Sequence, residues 1–126
     1  MEPIIIAGTT KSPDIKLDAK EGLIELSGMS YAEDTFVFYE PIFDWINDYA
    51  RKPSAETTLN MKVKYFNTSS IKCMFDILEA VANIGKEGHK TTINWFYDEE
   101  DEEMKDCGEN FSNILNFPFN ILIMES

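Results

Sequence analysis

The sequence predicts an α/β domain, with a mixed β-sheet of about five strands and about three helices packed against it. Two observations carry that expectation. Runs of β-branched and aromatic residues alternate with stretches of helical periodicity in the order β-β-α-β-α-β-α-β, and helices set between strands imply parallel crossovers. The chain is 126 residues long (14.5 kDa), 44% hydrophobic and 13% aromatic, with no repeats or low-complexity linkers. That is enough to bury one core and too little for two, so residues 1–126 read as a single domain.

Pro3–Ala7 is short, apolar and β-branched, and reads as a buried strand. Residues 8–20 are polar, contain Pro13 and read as loop. Leu23–Gly28 is a second strand ending on a glycine. From Tyr31 onward Phe38, Ile42, Trp45, Ile46 and Tyr49 recur at helical spacing and form one apolar stripe. Pro41 is expected in the first turn of that helix, where a missing N–H is harmless, and Pro53-Ser54 closes it. Thr57–Phe66 alternates, with Leu59, Met61, Val63 and Tyr65 on one face and Asn60, Lys62 and Lys64 on the other, as a half-covered strand does.

Asn67-Thr68-Ser69-Ser70 opens a second helix. Ile71, Met74, Phe75, Leu78, Val81 and Ala82 fill its inner face, Cys73, Ile77, Ala80 and Ile84 widen it, and Gly85 or Gly88 supplies the stop. Thr91–Tyr97 is a fourth strand, rich in β-branched and aromatic residues. A third helix with Met104, Phe111 and Leu115 inward follows the acids at 98–103, and Gly108 weakens it. Phe117–Met124 is the last strand, with Pro118 at its start. The most apolar strands are expected at the centre of the sheet.

Eleven Lys+Arg against 23 Asp+Glu give a formal net charge of −12. A phosphate backbone or an anionic bilayer would be repelled, so neither nucleic acid nor membrane is an expected partner. No apolar run approaches the ~20 residues that span a bilayer, and the N-terminus carries an acid where a signal peptide needs a positive charge. Cys73 and Cys107 form no CxxC pair and read as reduced thiols of a cytoplasmic protein. The single histidine, His89, gives no zinc ligand set and lies in a loop before a strand, where it is a poor candidate base. GxGxxG and GxxxxGK[ST] are missing, so no cofactor and no catalytic residue is expected. Residues 98–109 hold eight acids and one lysine, a local charge of −7. This run reads as a solvated helix start, as a docking surface for a basic partner, or as a metal site, although the EF-hand register is missing.

The strand-to-helix junction at Asn67-Thr68-Ser69-Ser70 is the most informative segment. Its simplest role is capping, with Thr68 or Ser69 accepting a hydrogen bond from a free helix N–H. The same geometry exposes hydroxyls where free N–H groups and the helix dipole favour an anion. A phosphoryl group added there would bring roughly −1.5 to −2 charges. No activating base is visible nearby, so a hydroxyl modified by another enzyme fits better than a catalytic one.

TTKSPDIKLD, LSGMSYAED, FYEPIFDW, YFNTSSIKCMFDILE, INWFYDEEDEEM with GENF, and FPFNILI follow one another along nearly the whole chain. In order and spacing these segments resemble the SiaC family of bacterial regulatory phosphoproteins, small domains with a STAS-like (anti-sigma-factor-antagonist-like) fold. The resemblance implies a non-enzymatic switch protein. The threonine of N-T-S-S, here Thr68, would be phosphorylated by a partner protein kinase and restored by a PP2C-type phosphatase. The unphosphorylated form would bind and activate a diguanylate cyclase, in cyclic-di-GMP signalling and the control of biofilm formation and aggregation. The binding face would then include Asn67, Ser69, Ser70 and Lys72, bordered by Tyr31, Glu33 and Asp34. One departure is Ala32, where a proline is expected after the SY pair, with a looser turn into the first helix as the consequence. Two rivals stand beside this reading: an anti-sigma-factor antagonist that controls transcription, and a small metal-binding or enzymatic module built on the 98–109 acids.

Overall fold

The computed structural model describes residues 1–31 and 33–125. Among them the chain forms six strands and three helices, β1 (Ile4–Ile6), β2 (Asp14–Asp18), β3 (Leu23–Ser30), α1 (Thr35–Arg51), β4 (Glu56–Phe66), α2 (Thr68–Lys86), β5 (Lys90–Tyr97), α3 (Glu102–Leu115) and β6 (Asn120–Ile123). The strands lie in one sheet in sequence order. β1, β2 and β3 pair antiparallel, and β3 through β6 pair parallel. Each parallel step passes through a helix. The contacts of α2 with both α1 and α3 put all three helices on one face.

The core lies between that face and the helices. Ile15 and Leu17 from β2, Ile24 and Leu26 from β3, Leu59, Met61 and Val63 from β4, and Ile93 and Trp95 from β5 point into it at every second position. The other face is polar. Asn60, Asn94 and Asn120 stand in register on β4, β5 and β6. The Asn120 amide donates to Asn94 (3.0 Å), Asn94 to Asn60 (2.9 Å), and Asn60 to the Glu25 carboxylate (3.0 Å).

Several sequence expectations change. The segment read as loop at 8–20 contains β2, so the sheet has six strands where about five were expected. Only Ile15 and Leu17 carry its apolar alternation, and Pro13 with the charged neighbours hid it. The most apolar strands are not central. β1 and β6 are the two edges, with Ile5 75% exposed, because hairpins and crossovers between consecutive strands send the first and last outward.

Pro41 sits inside α1, not in its first turn, and its ring faces solvent. Tyr39 is buried in place of Phe38, which is half-buried. Tyr65 is half-exposed although it follows Met61 and Val63 at every second position, because β4 carries an extra residue at Lys64 opposite the Gly28–Met29 step, which reverses the alternation and turns Phe66 toward the core instead. β3 continues beyond Gly28, whose φ of +102° accommodates a register shift against β4. The α2 stop is Gly88, also at φ +102°, and Gly85 remains helical. The last strand begins at Asn120, not Phe117. The expectation attached to Ala32 lies outside the described residues.

Candidate functional site

Parallel strands β3, β4, β5 and β6 end on one edge of the sheet, at Ser30, Phe66, Tyr97 and Ile123. All three helices therefore begin there, and the connecting residues 31, 33–34, 67 and 98–101 gather along it. In open α/β sheets this is the edge on which sites are built. The Asn67 N–H donates to the Ser30 carbonyl (3.1 Å), which ties the β4–α2 junction to the end of β3. The rings of Tyr31 and Tyr65 meet edge to face at 5.3 Å.

Asn67 is the N-cap of α2, which corrects the expectation of Thr68 or Ser69. Its extended backbone (φ −89°, ψ 177°) aims the side-chain Oδ1 back at the helix, where it accepts from the Ser70 N–H (2.9 Å) and the Ser69 hydroxyl (3.2 Å). Thr68 is thus the first helical residue. The structure separates the hydroxyls of this segment by environment. Ser70 is fully buried and accepts from Ser30 Oγ (2.8 Å). Since Ser30 has one proton to give, the Tyr39 phenol donates to Ser30 (2.6 Å). Ser69 also meets the Thr35 hydroxyl at 3.1 Å, joining the start of α2 to the start of α1. The Thr68 side chain is exposed, and its hydroxyl has no hydrogen-bond partner among the described residues.

The remaining expected residues divide. Tyr31, Glu33 and Asp34 do lie on this edge, with Tyr31 half-buried and the two acids exposed. Lys72 is exposed one turn into α2 but points along the helix to Asp76 (3.4 Å), a surface pair worth little. Ser70, placed by expectation in the binding face, belongs to the interior. Ser30, Thr35, Tyr39 and Tyr65 escaped the sequence reading. Their partners lie far off along the chain, and a hydroxyl at the end of an apolar strand was the only signal available.

The acidic run is part of the same edge. Asp98 and Asp101 form a turn, and Asp101 caps α3 by accepting from the Met104 N–H (3.0 Å). Glu102 and Glu103 occupy its first turn, where the dipole favours them. Among the described residues no group of three or more His, Cys, Asp or Glu is placed to hold a metal ion. Both cysteines are free. Burial pushes the Cys107 thiol up to about 11 and also raises Cys73, beside which Asp76 adds to the effect. Burial pushes the Tyr39 phenol up to about 12, against a smaller opposing pull from its Ser30 hydrogen bond, so it stays a neutral donor.

His89 precedes β5 and so lies at the opposite edge. The domain thus presents an exposed hydroxyl, that of Thr68, at the end where its helices begin, with its single histidine at the other end. The family described as SiaC family regulatory phosphoproteins matches residues 6–124. A relative from Pseudomonas aeruginosa (strain UCBPP-PA14), described only as an uncharacterized protein, is 31% identical over 121 residues, 96% of each chain. The crystal structure of apo-SiaC from Pseudomonas aeruginosa superposes with a TM-score of 0.86 at 30% identity, covering 97% of this chain and 99% of that one. SiaC of the same organism in complex with the diguanylate cyclase SiaD, of which it is the activator, superposes with a TM-score of 0.88 at 30% identity over 96% and 99% of the two chains. The chain belongs to the SiaC family of regulatory phosphoproteins.

Proposed function

We propose that this protein is a non-enzymatic cytoplasmic switch whose state is written on Thr68. Unphosphorylated, it binds and activates a diguanylate cyclase. A partner kinase phosphorylates Thr68 and ends the interaction, and a PP2C-type phosphatase restores it. The output is cyclic-di-GMP signalling, and through it biofilm formation and aggregation. The observation that carries this reading is the sorting of the hydroxyls: Thr68 is exposed and has no hydrogen-bond partner among the described residues, while Ser69 and Ser70 are held. The likeness to a SiaC that activates SiaD supports the choice of output.

The energetics favour a switch at this position. In the free protein a phosphate on Thr68 stays in water beside the free N–H groups of α2, and α2 has no acid in its first turn to repel it. In a complex that covers Thr68 the dianion must shed its water, which costs several kcal/mol unless a cation is waiting. Peptide mapping of protein purified from its own host tests the assignment. Phosphate on Thr68, with Ser69 and Ser70 unmodified, is the expected result. Phosphate confined to another residue overturns it. A cyclase assay tests the output: unphosphorylated protein raises cyclic-di-GMP production, and an unchanged rate speaks against the cyclase as partner.

A further inference from the structure

We propose that the protein pairs with a second copy of itself through the uncovered face of its sheet, on the side opposite the helices. The strand register makes that face continuous. Asp14, Ser27 and Lys62 lie side by side across β2, β3 and β4, and Phe96 and Leu122 across β5 and β6. The Lys62 ammonium stands 5.2 Å above the Phe96 ring and joins the two halves of that row. In the next row Lys16, Glu25, Asn60, Asn94 and Asn120 are likewise neighbours.

Charge singles this face out. Its strands carry Asp14, Asp18, Glu25 and Glu56 against Lys16, Lys62, Lys64 and Lys90, and Glu125 reaches it from beyond β6, a net of −1. The whole chain carries −12, so nearly all of the repulsion between two copies comes from elsewhere. With acids and lysines interleaved, the face is complementary to itself, as a two-fold interface requires. The asparagine ladder adds to this. A carboxamide has two N–H donors and an acceptor oxygen, and each ladder bond uses one N–H.

Shape agrees with charge. A hollow of about 690 Å³ opens on the same face, with Phe96 and Leu122 as apolar lining and Lys62 and Ser27 beside them. Ile5, 75% exposed, projects from β1 next to Lys16. A two-fold axis along the strands, between β3 and β4, lays β1 of each copy over β6 of the other and brings Ile5 beside that hollow. Six strands about 4.8 Å apart, with about three outward positions each, cover roughly 600 Å² per copy. A total of about 1,200 Å² is at the low end of specific interfaces, so the pair is weak and reversible, with a Kd on the order of 100 µM.

Sedimentation equilibrium from about 5 to about 500 µM protein, at about 150 mM NaCl to screen the net charge, tests this. Monomer at the low end and dimer at the high end are expected. Ile5→Asp and Leu122→Asp, on opposite edges of the sheet, should each weaken pairing about tenfold or more. Lys16→Glu, an exchange at an exposed strand position that leaves the core untouched, should do the same. Ile114→Asp, 67% exposed on α3, makes the same apolar-to-acid change on the helix side and should leave pairing unchanged. Thr68→Asp should also leave it unchanged, so the result is independent of the switch. A monomer throughout the range, pairing that survives the three sheet-face variants, or pairing lost in Ile114→Asp overturns the inference.

Discussion

Asn67 and Thr68 are neighbours with different tasks, and substitution separates them. Asn67→Ala removes the cap and should cost about 0.5–2 kcal/mol in a denaturant melt. Thr68→Ala removes an exposed hydroxyl with no partner among the described residues and should change stability by less than about 0.5 kcal/mol. Equal losses at the two positions would contradict the cap assignment. Thr68→Ala therefore removes the phosphate acceptor without unfolding the domain. A run of four potential caps, Asn67-Thr68-Ser69-Ser70, was legible as a helix start, but the cap itself was not. It is fixed by where β4 ends, which depends on the hydrogen bond from Asn67 to distant Ser30. Cys107 offers a second residue-scale test. With its thiol at about 11, alkylation of the native protein should be slow at pH 8 and rise about tenfold per pH unit toward 11. A plateau by pH 9 would contradict the burial. The same shift makes alkali destabilising: the unfolded thiol ionises near its ordinary value while the folded one holds its proton, so this contribution is present below about pH 9 and is lost as pH approaches 11.

Two helices carry residues that look like errors and have different explanations. Pro41 inside α1 forfeits a backbone hydrogen bond on the solvent side. Pro41→Ala should raise stability, by up to about 3 kcal/mol, as read from the denaturation midpoint. Gly108 in α3 looks like weakness from the sequence and is a close contact in the fold. A Cβ there would lie 2.4 Å from Trp95 Cδ1, on a ring whose Nε1–H also donates to the Met104 carbonyl (2.9 Å). Gly108→Ala should cost about 1–3 kcal/mol and shift the Trp95 fluorescence, despite the better helix propensity of alanine. A stabilised Gly108→Ala protein would contradict that packing. The helices were readable because each repeats one face over several turns. β2 was not, since five residues give alternation only two apolar positions.

At the scale of the molecule the parallel half of the sheet decides what the chain can do. It carries the starts of three helices, the exposed Thr68 and the acid-rich connection before α3 to one edge. The kind of fold and the start of α2 were legible from the order of elements and from the N-T-S-S junction. The gathering of Tyr31, Thr35, Tyr65 and the acids around Thr68 was not, because it is a product of the crossovers and not of any local pattern. The charge of −12 belongs to this picture as well, since the six acids at 98–103 lie on the edge where the helices begin. The central claim is that one phosphate on Thr68 decides whether this edge is occupied. The most direct measurement is a calorimetric titration of the cyclase with unphosphorylated and enzymatically phosphorylated protein under one salt condition. The account predicts that the phosphorylated form loses about 4 kcal/mol, roughly a thousandfold in affinity; equal affinities for the two forms would contradict it.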